Sequence, residues 1–191
     1  MRASTHRAES SLSPTHFVPS YGNASFQPHT MTGITLGGAP AEAPNAALLA
    51  RGVCRALEQL GYASLLEFPL ANGRRADILA LGRGGDLAII EIKSSVADFR
   101  ADRKWVQYRD FADRFYFAVP SHFPVALIPE DCGLIVADAF SASLIRDGGA
   151  TILAPGRRRA VTLRFALAAA ARLRRHLDPQ AGLAPGATIG L

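Results

Sequence analysis

The stretch RRADILALGRGGDLAIIEIKSS, residues 74–95, restricts the fold of this chain more than any other. It reads as two strands around a Gly-rich turn, and DLAIIEIK carries branched aliphatic residues on both faces, as a central strand requires. Yet Asp77, Glu91 and Lys93 stand among those aliphatic residues. An ionised carboxylate or ammonium leaves water at a high cost unless it is paired or coordinates a metal. A sheet that takes three charges into its centre must neutralise them, and the means of doing so points to the chemistry.

The flanking segments define the frame. From PNAALLARGVCRALEQLGY, Leu49, Val53, Ala56, Leu57 and Leu60 recur at helical spacing and Gly61 supplies a stop. SLLEFPL and RRADILAL read as strands joined at Asn72-Gly73, a strong hairpin signal. After the third strand, Ser95 and Asp98 make a capping arrangement that opens a helix to about Asp113, with Phe99, Trp105, Tyr108 and Ala112 on its inner side. RFYFAVP and GLIVADA are two further strands, SLIRDGGATIL reads as a small hairpin, and VTLRFALAAAARLRRHL as a final basic helix. The order α-β-β-β-α-β-β-α predicts one α/β domain with a mixed sheet, residues 44–178. Residues 1–43, rich in Ser, Thr, Pro, His and Gly, are expected to be a disordered leader in which Met31 is an alternative start, and 179–191 a flexible tail.

Side chains two apart on a strand share a face, so Glu91 and Lys93 are neighbours with Ile92 turned away. If the strand of Asp77 pairs beside them, two carboxylates and an ammonium share one patch. Such carboxylates repel unless a proton, a cationic side chain or a bound cation intervenes. Mg²⁺ suits the patch, since it takes one or two carboxylates and fills its other positions with water and phosphate oxygens. Such a metal activates a water and stabilises the charge of a phosphodiester displacement, while Lys93 orients the water or offsets phosphate charge. A plain buried ion pair accounts for the same residues, and the string Asp-x13-Glu-x-Lys is unspecific by itself. The order of elements around it adds the information.

That order resembles the core of the PD-(D/E)XK nuclease superfamily. More specifically, RGVCRALEQLGY, EFPLANGRRADILALG, LAIIEIKSSVADFRADRKWVQYRDFADRFYFAVP, PEDCGLIVADAF and RRRAVTLRFALAAAARL resemble the MmcB-like DNA repair endonucleases of bacteria, over about residues 48–173. The resemblance implies a restriction-endonuclease-like α/β core, a metal-dependent endonuclease acting on DNA, and Mg²⁺ or Mn²⁺ as cofactor. It places Asp77, Glu91 and Lys93 on catalytic positions, with Asp77, Glu91 and the backbone of Ile92 as metal ligands. Ala76 stands where the superfamily name has Pro, and Val106-Gln107 where Pro-Asp is expected, so Gln107 receives no role. A further acid often comes from the first helix or strand. Glu58 follows the apolar face of its helix by one position and faces solvent; Glu67 is the better candidate. A symmetric two-residue turn puts Phe68 opposite Asp77 and Glu67 on the wrong face, whereas an odd loop or a bulge reverses this.

The surroundings fit a polyanion. Arg100, Arg103, Lys104 and Gln107 recur at i, i+3, i+4 and i+7 beside the site, a stripe that either contacts DNA backbone or is a solvated face to which Asp102, Asp110 and Asp113 belong. Arg74 and Arg75 precede Asp77, and Ser94 and Ser95 directly follow the motif; these four are also assigned to DNA. Trp105 and Tyr108 either stack on a base or, at helical spacing, belong to the core. The chain holds 21 Lys+Arg against 16 Asp+Glu, and residues 157–176 contain seven Arg and no acid, which reads as a second phosphate track or a solubilising face. Cys54 and Cys132 lack a neighbour at metal spacing and read as packed thiols of a reducing compartment. No apolar run is long enough for a membrane span, and the N-terminus lacks a secretory core, so the expected location is cytoplasmic, nucleoid-associated when DNA is bound. The alternatives are a non-enzymatic DNA-binding repair module of the same fold and a nuclease acting on RNA; a homodimer is an open possibility.

Overall fold

A computed structural model describes residues 45–180. The leader 1–43 lies outside the described residues, as does the tail beyond Gln180. The elements are α1 (Ala46–Gln59), β1 (Ala63–Pro69), β2 (Arg75–Leu81), β3 (Leu87–Ile92), α2 (Val96–Ala101), β4 (Arg114–Val119), β5 (Gly133–Ala137), β6 (Ala142–Arg146) and α3 (Pro155–Leu177). A 3-10 helix over Trp105–Phe111 precedes β4, and a shorter one, Val125–Leu127, precedes β5.

The six strands form one sheet in chain order. β1, β2 and β3 are antiparallel neighbours, β3, β4 and β5 are parallel, and β6 returns antiparallel to β5. Parallel pairing needs a crossover, which α2 and the 3-10 helix supply between β3 and β4. β3 is therefore central, and all six of its residues are buried. One face of the sheet packs on α1 through Leu49, Val53, Ile78, Ile90 and Ala118. The other packs beneath the 3-10 helix and α3 through Leu79, Ile89, Phe117, Tyr108 and Phe165.

Local chemistry explains the element ends. The Asn45 side chain caps α1 by accepting from Leu48 N at 3.0 Å. Gly52 lets α1 approach the β5–β6 turn, where a Cβ would stand 2.1 Å from the Asp138 carbonyl oxygen. The β1–β2 loop is odd: Ala71, Asn72 and Gly73 form it, Gly73 takes the left-handed φ of 79°, and Leu70 N donates to Arg74 O at 2.7 Å. The symmetric two-residue turn is thereby replaced by the odd alternative.

Three expectations need correction. The helix opened by Ser95 does not run to Asp113: α2 ends at Ala101, Asp102 is extended at φ −91° and ψ 101°, and a 3-10 helix follows. The i to i+7 stripe of Arg100, Arg103, Lys104 and Gln107 thus loses its single helical face. The hairpin over residues 143–153 forms only its first strand, because Thr151 N turns away to donate to Asp113 O at 2.8 Å. The last helix begins six residues early, with Pro155 in its first turn, where a missing N–H is harmless.

Candidate active site at the end of β3

The ladder between β2 and β3 pairs Leu81 with Leu87 through to Ile78 with Ile90, and stops there. The next positions are Asp77 and Glu91, and their side chains take over the bonding. Asp77 Oδ2 accepts from Ile92 N at 2.8 Å, and Glu91 Oε1 accepts from Asp77 N at 3.2 Å. Each carboxylate thus satisfies a backbone donor that the parting strands would leave open. Asp77 Oδ1 and Glu91 Oε2 have no hydrogen-bond partner among the described residues.

The parting reaches the edge strand. In β1, Leu66 pairs with Ile78 and Phe68 with Ala76, so Glu67 falls level with Asp77. Glu67 itself has a φ of 50°, a left-handed conformation that costs a non-glycine residue roughly 1 kcal/mol or more. The side-chain alternation of β2 also slips here: Ala76 and Leu79, three apart, share one core while Ile78 belongs to the other. Three adjacent strands are irregular at one level, and that level carries the charges.

Lys93 completes the cluster, in a manner the sequence does not foretell. Its Nζ lies 3.9 Å from Glu91 Oε2 but 2.6 Å from Asp102 Oδ2. Asp102 stands where α2 breaks, and its Oδ1 accepts from Lys104 N at 2.9 Å. It is half-buried, so its assignment to a solvated face is corrected. Asp113 needs the same correction: it is buried, accepts from Leu87 N at 2.8 Å and pairs with Arg158. Tyr108 closes the wall, its hydroxyl donating to Arg75 O at 3.1 Å, while Trp105 stacks on Phe115 at 5.5 Å as part of the core.

Burial sets the electrostatics. Desolvation, then the nearby Asp77 charge, raises the Glu91 carboxyl to about 8. Asp77 is raised too, by burial, against the Ile92 hydrogen bond and the Lys93 charge. For Lys93, burial favours the neutral amine, but the Asp102 hydrogen bond and charge outweigh it and its pKa rises. Burial would raise Asp102 as well, yet its bond to Lys93 lowers it. Tyr108 is pushed up to about 12 by burial and by the Glu91, Asp102 and Asp77 charges. The cluster holds more acids than cations and has room for further positive charge.

The other expected site residues lie outside this cluster. Glu67 is exposed, and its carboxylate pairs with Arg75, so the structure does not bring it into the cluster. Glu58 is exposed on α1. Arg74 Nε donates to Gln107 Oε1 at 2.6 Å, which gives Gln107 a contact although its motif position assigns none. Ser95 caps α2 by accepting from Asp98 N at 3.1 Å, and Ser94 is half-buried beside it. Arg100, Arg103 and Lys104 are exposed on either side of Asp102.

Fold and cluster together define an α/β protein with a six-stranded mixed sheet and a buried acid–lysine site where its ladder parts. The family described as DNA repair protein MmcB-like matches residues 38–180, three quarters of the chain. The chain therefore belongs to the MmcB-like DNA repair protein family. A solved structure from Silicibacter pomeroyi, a protein of unknown function, is 41% identical, with a TM-score of 0.69 over 76% of this chain and 97% of that one. No curated protein matches. Among the described residues no helix is long and apolar enough to cross a membrane.

Proposed function

We propose that this DNA repair family member is a metal-dependent nuclease that hydrolyses phosphodiester bonds in DNA, with Mg²⁺ or Mn²⁺ as its cofactor. The observation that carries this reading is the interrupted β2–β3 ladder, where the buried Glu91 and the half-buried Asp77 each keep one carboxylate oxygen without a hydrogen bond among the described residues. An ion pair built only for stability would bring Lys93 equally close to both acids; here its Nζ stands 2.6 Å from Asp102 and 3.9 Å from Glu91.

The donor set fits a hard cation. Among the described residues no three His, Cys, Asp or Glu side chains gather as a metal group. A site made wholly of side chains needs more donors than Asp77 and Glu91 supply, whereas Mg²⁺ takes one or two carboxylates and keeps its waters. Asp77 and Glu91 would hold it. In a strand the N–H and C=O of one residue face the same neighbour, so the Ile92 carbonyl also turns toward the gap that its N–H bridges to Asp77. When bound, the ion supplies charge for the phosphate and acidity for a water.

The chain's own residues do the rest. Lys93, held charged by Asp102, places an ammonium beside Glu91 to orient the attacking water and offset phosphate charge. Asp102 acts as a positioning residue. Arg74, Arg75, Arg100, Arg103 and Lys104, close in sequence to Asp77 and Lys93, would supply cationic side chains for the DNA backbone. The test incubates the purified protein with labelled branched, single-stranded and duplex DNA, and with RNA, in Mg²⁺, Mn²⁺ or EDTA. Metal-dependent DNA cleavage that vanishes in Asp77→Asn is expected. A gel shift with no cleavage in either metal would refute the enzyme and leave a DNA-binding module; cleavage confined to RNA would refute the substrate.

A further inference from the structure

On the sheet face that carries the cluster, α3 and the β1–β2 hairpin flank an open cavity of about 570 Å³. Phe68, Leu70, Phe111 and Val161 line it, with Arg157 and Arg164 among them. Both guanidinium groups are held by main-chain carbonyls. Arg157 Nη1 donates to Asp110 O at 3.0 Å, and its Cζ lies 5.6 Å from the centre of the Phe111 ring; Arg164 Nη1 donates to Pro69 O at 3.3 Å. Arg172 repeats the device, donating to Glu67 O at 3.1 Å. Among the described residues none of the three pairs with an acid. A carbonyl fixes a guanidinium without cancelling its charge, whereas Arg158, on the same helix, is neutralised by Asp113.

The three arginines are seven and eight residues apart, and at 1.5 Å per residue they stand in steps of roughly 10 and 12 Å along α3. All of them reach main chain on one flank, two of them the edge strand β1. The row ends at Glu67, the residue level with Asp77.

We propose that this cavity receives one unstacked nucleotide of the bound DNA, its base against the Phe111–Arg157 pair and its phosphates on Arg157 and Arg164, while Arg172 leads the strand toward the cluster. The inference rests on DNA being the ligand. The volume lies in the range of sites for single small ligands, and a duplex cannot enter it. Apolar walls suit a base, fixed uncompensated guanidiniums suit its phosphates, and an Arg guanidinium close to an aromatic ring offers a base a stacking surface. Extruding a base is easiest where pairing is already lost, so the cavity would select mismatched, bulged or damaged DNA over matched duplex.

Affinity in EDTA tests this without cleavage. The full chain should bind a duplex with a single-base bulge about tenfold more tightly than the matched duplex. Ala160→Phe fills the cavity from an exposed lining position, and Arg164→Ala removes one phosphate contact; each should erase the preference while matched-duplex affinity falls less than about threefold. Iodouracil at the bulge should photocrosslink to Phe111 or to the hairpin tip at Ala71–Asn72. A preference that survives both variants, no preference at all, or a crosslink mapped elsewhere would overturn the cavity assignment alone. Absence of binding to any DNA would overturn the DNA reading beneath it.

Discussion

Replacing Glu91 by Gln should stabilise the cation-free protein, by an amount that depends on pH in a defined way. Gln mimics the protonated carboxyl and keeps an oxygen for the Asp77 N–H. The Glu91 carboxyl rises from 4.5 to about 8 on folding, so between those values the folded state holds a proton that the unfolded state has released. The unfolded state binds fewer protons, and stability must fall as pH rises through this window. At 1.36 kcal/mol per pH unit the loss is about 1 kcal/mol at pH 5, roughly 3 at pH 7, and levels off near 4–5 above pH 8. Glu91 is only 4% exposed, so solvent screening does little to reduce it. Urea unfolding in EDTA at pH 5, 6, 7 and 8 measures the gap between Glu91→Gln and wild type, in which contributions from groups distant from the cluster cancel. The gap should widen by roughly 2 kcal/mol from pH 5 to pH 7. A gap constant to within about 0.5 kcal/mol would show that Glu91 ionises normally and would refute the argument from burial and the Asp77 charge.

Three further outcomes follow from other contacts. Asp113→Ala should cost about 2–3 kcal/mol in chemical denaturation, because it leaves the half-buried Arg158 with only the Gly85 carbonyl and strips the acceptor from Leu87 N; a cost below about 1 kcal/mol would contradict this role. Asp102→Asn removes the partner that keeps Lys93 protonated, so the alkaline limb of the cleavage rate should move to lower pH, whereas a purely structural effect would lower the rate equally at every pH. Arg103→Ala combined with Lys104→Ala should flatten the salt dependence of DNA affinity by about one to two units of log–log slope, and an unchanged slope would remove both residues from the interface.

What could be read from the sequence depended on the range of the interaction involved. The Glu91–Lys93 pair follows from strand periodicity, and α1, β2, β3 and β4 from apolar patterning, because these are local rules. The length of the first-turn cap at Ser95 was legible, but the end of its helix was not. Asp102 terminates α2 while its side chain bonds Lys93 nine residues back, a tertiary contact that overrides helical propensity. The same contact hid Asp102 as a site residue, since an acid in a run of charges resembles solvated surface. Glu67 turned on loop parity: the odd loop does put it level with Asp77, yet its positive φ and the Arg75 pair keep its carboxylate out of the cluster, and strand alternation has no means of anticipating that. Asp113 was misread for a similar reason, its partner Arg158 being 45 residues away.

The central claim is that Asp77 and Glu91 exist to hold a divalent cation. Titration calorimetry of Mn²⁺ into the full chain at pH 7, repeated in buffers of different ionisation enthalpy, measures the binding and the protons released with it. With the Glu91 carboxyl raised to about 8 by burial, wild type should bind the ion with release of protons, and Asp77→Asn should show neither. Wild type that takes up no Mn²⁺ at millimolar concentration with uncleavable DNA present, or that binds identically after Asp77→Asn, would contradict the account.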